Sequence, residues 1–388
     1  MGRAIAEVNR DRILELASEL IMIPSVTGEE RKVADRAAEL LERMGVLARK
    51  VGEAERPIVL GDLNKNSKPL IALNGHLDTV PIADSRAWKT NPFEPVFDSG
   101  LLYGRGASDM KASCAVIMHV LEILQKHQDS LKGGVQAQLV PDEEKGGKFG
   151  TLLLIDLMRR GELPMPDYAI IGEKSNLKIR ISERGSCRVN IRFVGRATHT
   201  AYARVEGVNT IALASKAVLA LEKPLERWDP YIGYPVISVN AIKAGSAINQ
   251  VPDECVISID RRTVRGETKE SVLGEIKEAI DKAINADGNG RYEMEPVESF
   301  TPANYTSPDS RLVKAFQDAV PKIVGHAPEF FVEWAGGTDG RHYREVGVET
   351  VGFGPKGEHA HGPNEFVDVN SLEVQAKVYL STIFRILN

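Results

Sequence analysis

His76 and Asp78 stand two apart directly after an apolar run that ends at Gly75, and on extended backbone that spacing puts both side chains on one side. An imidazole that binds a metal usually gives its other ring N–H to a carboxylate or a carbonyl, so Asp78 is placed to fix the tautomer and direction of His76. Asp109 lies in a glycine-rich turn, Gly104-Arg105-Gly106-Ala107-Ser108-Asp109, just before an apolar stretch. A carboxylate there can cap a helix or reach a cation. Three more apolar runs end in the same way: Asp142-Glu143-Glu144 follows residues 135–140, Glu173 follows 168–171, and His359 and His361 follow 348–353. If the segment after residue 140 stays extended, Glu143 and Glu144 point to opposite sides and have different tasks. Taken singly, each of these groups reads as a cap, a strand end or a solvated acidic turn. Together, His76, Asp109, Glu144, Glu173 and His361 form a nitrogen and oxygen ligand set without thiolates, which suits zinc, cobalt or manganese. Five such groups exceed one tetrahedral catalytic site and fit two metals that share a carboxylate. Glu143, next to a ligand but not needed as one, is the candidate general base.

The elements that must position these groups follow from periodicity. Apolar stripes predict helices over residues 7–22, 28–44 and 112–125, the first stopped by Pro24. His119 and His127 fall on the third and read as packed or exposed helix histidines. Strands at 70–73, 135–140, 168–171 and 348–353 each deliver a histidine or a carboxylate just past their carboxyl ends, the edge at which open α/β sheets bind ligands. Residues 180–298 follow a different pattern: strand 186–194, helix 209–221, strands 236–242 and 254–263, helix 269–284 and strand 291–297. That order, βαββαβ, is ferredoxin-like. With presumed ligands on both sides of it, this unit reads as an insertion, giving a catalytic domain over 1–179 and 299–388 interrupted by 180–298. The fold class expected is therefore α/β, a mixed-sheet catalytic domain with an inserted ferredoxin-like lid and dimerisation domain.

Composition bounds the function. The 388 residues are 43% hydrophobic and 27% charged, with a formal charge of −5. That is ordinary globular protein with no basic surplus for a phosphate backbone, so nucleic acid is not an expected partner. Cys114, Cys187 and Cys255 are far apart and odd in number, which argues against a disulfide framework or a thiolate zinc site and points to a reducing, cytoplasmic setting. Glu15 and Glu19 interrupt the early apolar residues, and no stretch approaches the roughly 20 apolar residues of a membrane span.

Five ordered motifs resemble the co-catalytic zinc metallopeptidase family that contains acetylornithine deacetylase, succinyl-diaminopimelate desuccinylase, aminoacylase and glutamate carboxypeptidase. They are Gly75-His76-Leu77-Asp78-Thr79-Val80-Pro81, Gly104 through Lys111, Asp142-Glu143-Glu144, Gly172-Glu173 and His361-Gly362-Pro363-Asn364-Glu365. The resemblance implies that Asp109 bridges two metals, that His76 and Glu173 complete one site, and that Glu144 and His361 complete the other. It also makes Asp78 the orienting aspartate and Glu143 the base. In the inserted domain it implies that His199 crosses to the active site of a partner subunit in a homodimer, and that Asn249 and Arg262 hold the substrate carboxylate. Arg262 shares a strand face with Ser258 and Asp260, opposite Cys255, Ile257 and Ile259, so the alternation itself aims Arg262 away from the apolar face. Two departures bear on substrate: Glu173-Lys174-Ser175 stands where the family often has Glu-Pro-Thr or Glu-Pro-Ser, and Ala201-Tyr202-Ala203-Arg204 where a proline often follows the lid histidine. His326, His342 and His359 match no role and read as structural.

The function expected is hydrolysis of an amide beside a free α-carboxylate, with a small N-acyl amino acid of the acetylornithine or succinyl-diaminopimelate kind as substrate. Peptide cleavage of the carboxypeptidase or dipeptidase kind is the alternative. A dinucleotide enzyme is disfavoured because the 104–109 turn lacks the third glycine and a preceding strand, and a serine hydrolase because Gly-x-Ser-x-Gly is absent. A non-catalytic scaffold would be expected to have lost the base or a ligand, and here all are present.

Overall fold

The computed structural model describes residues 1–284, 291–332 and 336–388. Two compact units divide the chain: Met1–Ile181 with Thr306–Phe331 and Thr338–Asn388, and Ser182–Tyr305 with Val332–Gly337. The second unit extends beyond residue 298 because Ser299–Thr301 and Asn304–Tyr305 pair with strands at its own start, Gly185–Val194 and Ser182–Glu183.

The first unit is built on a six-stranded mixed sheet in the order Leu47–Glu53, Arg56–Leu63, Gly134–Val140, Leu70–His76, Tyr168–Ile171, Glu349–Gly352. The last four are mutually parallel, and the first two form an antiparallel hairpin that closes one edge. The central strands Gly134–Val140 and Leu70–His76 are buried throughout; Leu70–Leu73 accordingly reads as a continuous apolar run, whereas Gly134–Val140 carries Gln136 and Gln138, which are buried by bonding in a chain to Asp62. One face packs against Lys111–Lys126, itself packed on Arg10–Ile21 and Val369–Leu387. The other face meets Thr151–Arg159 and Gly340–Glu345 through Asn74, whose amide donates to Thr151 Oγ1 at 3.1 Å and Tyr343 OH at 3.4 Å. No helix among the described residues is long and apolar enough to cross a membrane.

The second unit has strands Val236–Ala244, Glu254–Thr263, Gly185–Val194 and Arg291–Met294 side by side and antiparallel, with helices Thr210–Leu221 and Lys269–Ile284 between them in sequence. Alternation sorts the faces. Cys187, Val189, Ile191 and Phe193 join Cys255, Ile257 and Ile259 against Leu213, Ala217, Ile276 and Ile280 in one core, while Ser186, Arg188, Asp260 and Arg262 occupy the opposite face. Val236–Ala244 is an outer strand and is largely exposed.

Candidate metal centre

Parallel register aligns the ends of the four central strands. His76 lies opposite Val140, Asn74 opposite Ile171, and Gly352 opposite Ile171, so whatever follows these residues emerges at one edge. The Asp109 turn reaches that edge because two strand ends carry no side chain. A Cβ on Gly75 would meet Met110 Cε at 2.9 Å and Cys114 Sγ at 3.0 Å, and one on Gly172 would meet Met110 Cε at 2.8 Å. Glycine here serves close approach.

The expected ligands converge. His76 Nε2 lies 2.9 Å from Asp109 Oδ1 and 3.3 Å from Glu173 Oε1. His361 Nε2 lies 3.2 Å from the other oxygen, Asp109 Oδ2, and 2.9 Å from Glu144 Oε2. Asp109 thus presents one oxygen to each histidine. Two sets of ligand atoms lie within 4.8 Å of one another: His76, Asp109 and Glu144, and His76, Glu143 and Glu173. Four carboxylates crowded around two imidazoles, largely out of water, are costly without a cation. The donor chemistry fits a pair of divalent ions such as zinc, cobalt or manganese.

The protonation pattern agrees. Burial alone would lower the pKa of His76, but hydrogen bonds to Asp109, Asp78 and Glu173 raise it well above the ordinary value. His361 is pushed up to about 10 by its bonds to Asp109 and Glu144. Burial opposes ionisation of Asp109, yet the two histidines hold its carboxyl below the usual range. The surrounding carboxylates thus favour the protonated form of both imidazoles, the form with which a divalent ion competes.

Glu143 and Glu144 do not sit on an extended segment. They open a 3₁₀ turn, Glu143–Lys145, after Asp142 in the left-handed region at φ 71°. Their tasks still differ, for a different reason: Glu144 meets His361, whereas Glu143 approaches His76 and Glu173. Asp78 anchors the turn by accepting from the backbone N–H of Glu143 at 3.1 Å and of Glu144 at 3.2 Å, and from Thr27 Oγ1 at 2.8 Å. His76 Nδ1 in turn bonds the Asp78 backbone carbonyl at 2.9 Å, with the carboxylate at 3.5 Å. One aspartate thus orients His76 and holds the turn that carries Glu143. Burial, and then the charges of Glu173, Asp339 and Asp109, raise the Glu143 carboxyl well above its ordinary pKa, with His76 opposing.

The signature of peptidase family M20/M25/M40 matches residues 72–385, the span that holds His76, Asp78, Asp109, Glu143, Glu144, Glu173 and His361. The chain belongs to this family. Among curated relatives, it is 29% identical over 387 residues to a succinyl-diaminopimelate desuccinylase of Nitrosospira multiformis, covering 96% of this chain and 98% of that one. It is 30% identical over 386 residues to the enzyme of that name from an Azoarcus species, covering 96% and 97%. Among solved structures, aminopeptidase PepT from Bacillus cereus superposes with TM-score 0.78 at 20% identity, over 98% of this chain and 100% of that one. A tripeptidase from Staphylococcus aureus gives 0.77 at 21%, over 98% and 99%. These last two establish a shared fold.

In this M20 chain the three remaining expected site residues lie in the second unit and fall into two groups. His199 and Asn249 are neighbours on a small ribbon: Thr198–His199 pairs with Gln250–Val251, and Thr200 N donates to the Asn249 carbonyl at 3.1 Å. His199 Nδ1 accepts from Ala201 N at 3.2 Å. Arg262 sits near the far end of Glu254–Thr263, its Nε 2.9 Å from Asp260 Oδ1. Eight strand steps separate Arg262 from Glu254, about 26 Å at the usual rise. His359 stays out of the metal cluster, with Nδ1 3.2 Å from the Pro363 carbonyl.

Two residues of the M20 site were not singled out from sequence. Glu365 is fully buried and accepts from Ser108 N and Asp109 N at 2.9 Å, Gly106 N at 3.0 Å and Arg105 NH1 at 2.6 Å. Arg105 also donates to the His361 carbonyl at 3.3 Å, so one ion pair ties the Asp109 turn to the His361 loop. Glu365 stands within the His361–Glu365 motif, but its partners are mostly backbone N–H groups distant in sequence, which residue identities do not reveal. Asp339 is the other. Its Oδ2 accepts from Thr151 Oγ1 at 2.7 Å, its Oδ1 is sealed from solvent without a hydrogen-bond partner, and burial pushes its carboxyl up to about 7. The run Gly336-Gly337-Thr338-Asp339-Gly340 is the available clue.

Proposed function

We propose that this M20 hydrolase removes the acyl group from an N-acyl amino acid by cleaving the amide beside a free α-carboxylate, with N-succinyl-diaminopimelate as the first candidate substrate. The observation that carries the reading is the division of Asp109 between His76 and His361, with Glu143 beside them. The names of the full-length relatives support the substrate class. His76, Asp109 and Glu173 would hold one divalent ion, zinc first, and Asp109, Glu144 and His361 the other. When bound, such a pair acidifies a water and withdraws electrons from the scissile carbonyl. Glu143 takes the proton of the attacking water and passes it to the leaving amine. Asp78 keeps His76 in one tautomer and holds the Glu143 turn in place. Arg262 grips the α-carboxylate, and His199 stabilises the oxyanion. Three buried free cysteines suit a cytoplasmic enzyme.

The test is a panel of N-succinyl-diaminopimelate, N-acetyl-ornithine, other N-acyl amino acids and short peptides, run on chelator-stripped and zinc-restored protein. Hydrolysis of N-acyl amino acids that needs metal and fails on α-amides is expected. Faster turnover of peptides than of every N-acyl amino acid, or full activity without metal, would refute the reading.

A homodimer belongs to the same proposal. Asn249 precedes the strand Glu254–Thr263 and Arg262 lies near its other end, which supports a reading in which the two residues meet one carboxylate from different copies. The outer strand Val236–Ala244 also leaves one edge unpaired, and Ile242 and Leu219 beside it are 52% and 74% exposed. A second copy adding its own edge strand would cover both. His199 and Asn249 then serve the partner's centre. Mixing His199→Ala with Glu143→Ala chains, each inactive alone, should restore about a quarter of wild-type activity at full random exchange, since half the dimers are mixed and one of their two sites is intact. No recovery despite proven exchange would count against sharing.

A further inference from the structure

Among the described residues of the second unit, the fully or partly buried arginines pair with carboxylates, with one exception. Arg261 has Glu267 at 2.7 Å and Arg265 has Asp229 at 2.5 Å. On the polar sheet face Arg188 and Arg262 share a single carboxylate, Asp260, at 3.4 and 2.9 Å. Arg184 has none. Its Nε is sealed from solvent with no hydrogen-bond partner, and no ion pair reaches it among the described residues.

Register places Arg184 beside Arg262. Ser186 lies directly opposite Arg262 and Arg188 opposite Asp260, and Arg184, two residues before Ser186, continues the same side of the extended chain. Its guanidinium rests over Gly233, where an added Cβ would stand 3.3 Å from Arg184 NH2 and 3.5 Å from the Trp228 ring. Trp228 and Tyr234, in edge contact with ring centroids 4.8 Å apart, are both about half exposed. Burial and the neighbouring charge of Arg262 lower the pKa of Arg184, as expected for a partly buried cation beside another cation.

Three guanidiniums therefore face one carboxylate, leaving two positive charges over. A guanidinium half out of water with a donor unmet is stabilised by an anion it can hold in a planar, charge-assisted contact. Arg262 accounts for one such anion, the substrate α-carboxylate. We propose that Arg184 binds a second carboxylate, on the acyl side of the scissile amide, and so selects acyl groups that end in a carboxylate over neutral ones such as acetyl. This deepens the deacylase reading above and rests on its assignment of Arg262.

The measurement is the ratio of kcat/KM for the N-succinyl and N-acetyl forms of one amino acid, in wild type, Arg184→Gln and Arg184→Lys. Wild type should favour N-succinyl. Arg184→Gln should lower the ratio roughly 10- to 100-fold, as expected for a lost hydrogen bond between charged groups, chiefly through KM, and Arg184→Lys should restore part of it. A merely structural arginine would depress both substrates alike. An unchanged ratio in Arg184→Gln, or a wild type that favours N-acetyl, overturns the proposal. Calorimetric titration with succinate and acetate makes the same comparison without turnover. If wild type cleaves peptides alone, the deacylase reading has failed on its own, and Arg184 is then scored on α-aspartyl against alanyl peptides, whose acyl sides differ by the same carboxylate. An unchanged ratio there is equally fatal.

Discussion

Glu143→Gln should keep two metal ions per chain and lose roughly 10² to 10⁴ in turnover, the worth of a positioned acid–base group. Glutamine preserves the shape of the side chain and the backbone N–H that Asp78 accepts, but it cannot take a proton from water. The site makes this substitution discriminating. Glu143 lies within 4.8 Å of ligand atoms of His76 and Glu173, so a direct ligand role is a definite rival with a different signature. Metal analysis after exhaustive dialysis separates the two. Full metal content with collapsed turnover supports the base, whereas loss of one ion would make Glu143 a ligand and move the proton transfer elsewhere.

Asp109→Ala is expected to have the widest effect on metal content. Its oxygens face His76 and His361 separately, so in the proposed assignment removing it strips a donor from each ion, while His76→Ala strips a donor from one. Asp109→Ala should therefore lose both ions and at least the roughly 10²- to 10³-fold typical of a removed transition-state donor. His76→Ala should retain the ion held by Glu144 and His361. Stoichiometry measured on both variants decides the matter. An Asp109→Ala chain that keeps one ion tightly, or a His76→Ala chain that loses both, would mean the carboxylate is not shared.

Most of the catalytic scaffold was legible because apolar runs and chemistry-bearing residues abut. Tyr168–Ile171, Glu254–Thr263 and Lys269–Ile284 form over the spans that their patterns predict. The hairpin Leu47–Leu63 was not legible, since Arg49, Lys50 and Asp62 interrupt its alternation. Two of these, Arg49 and Asp62, are reconciled by an ion pair at 2.7 Å across the pair of strands, with Gln136 donating to the other Asp62 oxygen at 2.6 Å. Val369–Leu387 was also missed: it is buried on most sides, which blurs the 3.6-residue stripe. At the site the ligands were readable and their holders were not. Local spacing placed Asp78 beside His76, but its service to the Glu143 turn depends on backbone donors that a residue pattern does not reveal. Likewise Glu365 acts by accepting from main-chain N–H groups of the Asp109 turn, an interaction with no signature in side-chain identity.

That same Glu365 carboxylate also sets an order of events. It bonds the Asp109 amide across 256 positions of sequence, and a contact of such separation forms only after a large loop has closed. A growing chain can fold the Leu70–His76 strand and the Lys111–Lys126 helix long before Glu365 is made, but the Asp109 turn between them lacks its tie until the 361–365 loop docks. The metal centre is therefore a late product of folding, completed after the inserted unit has been synthesised.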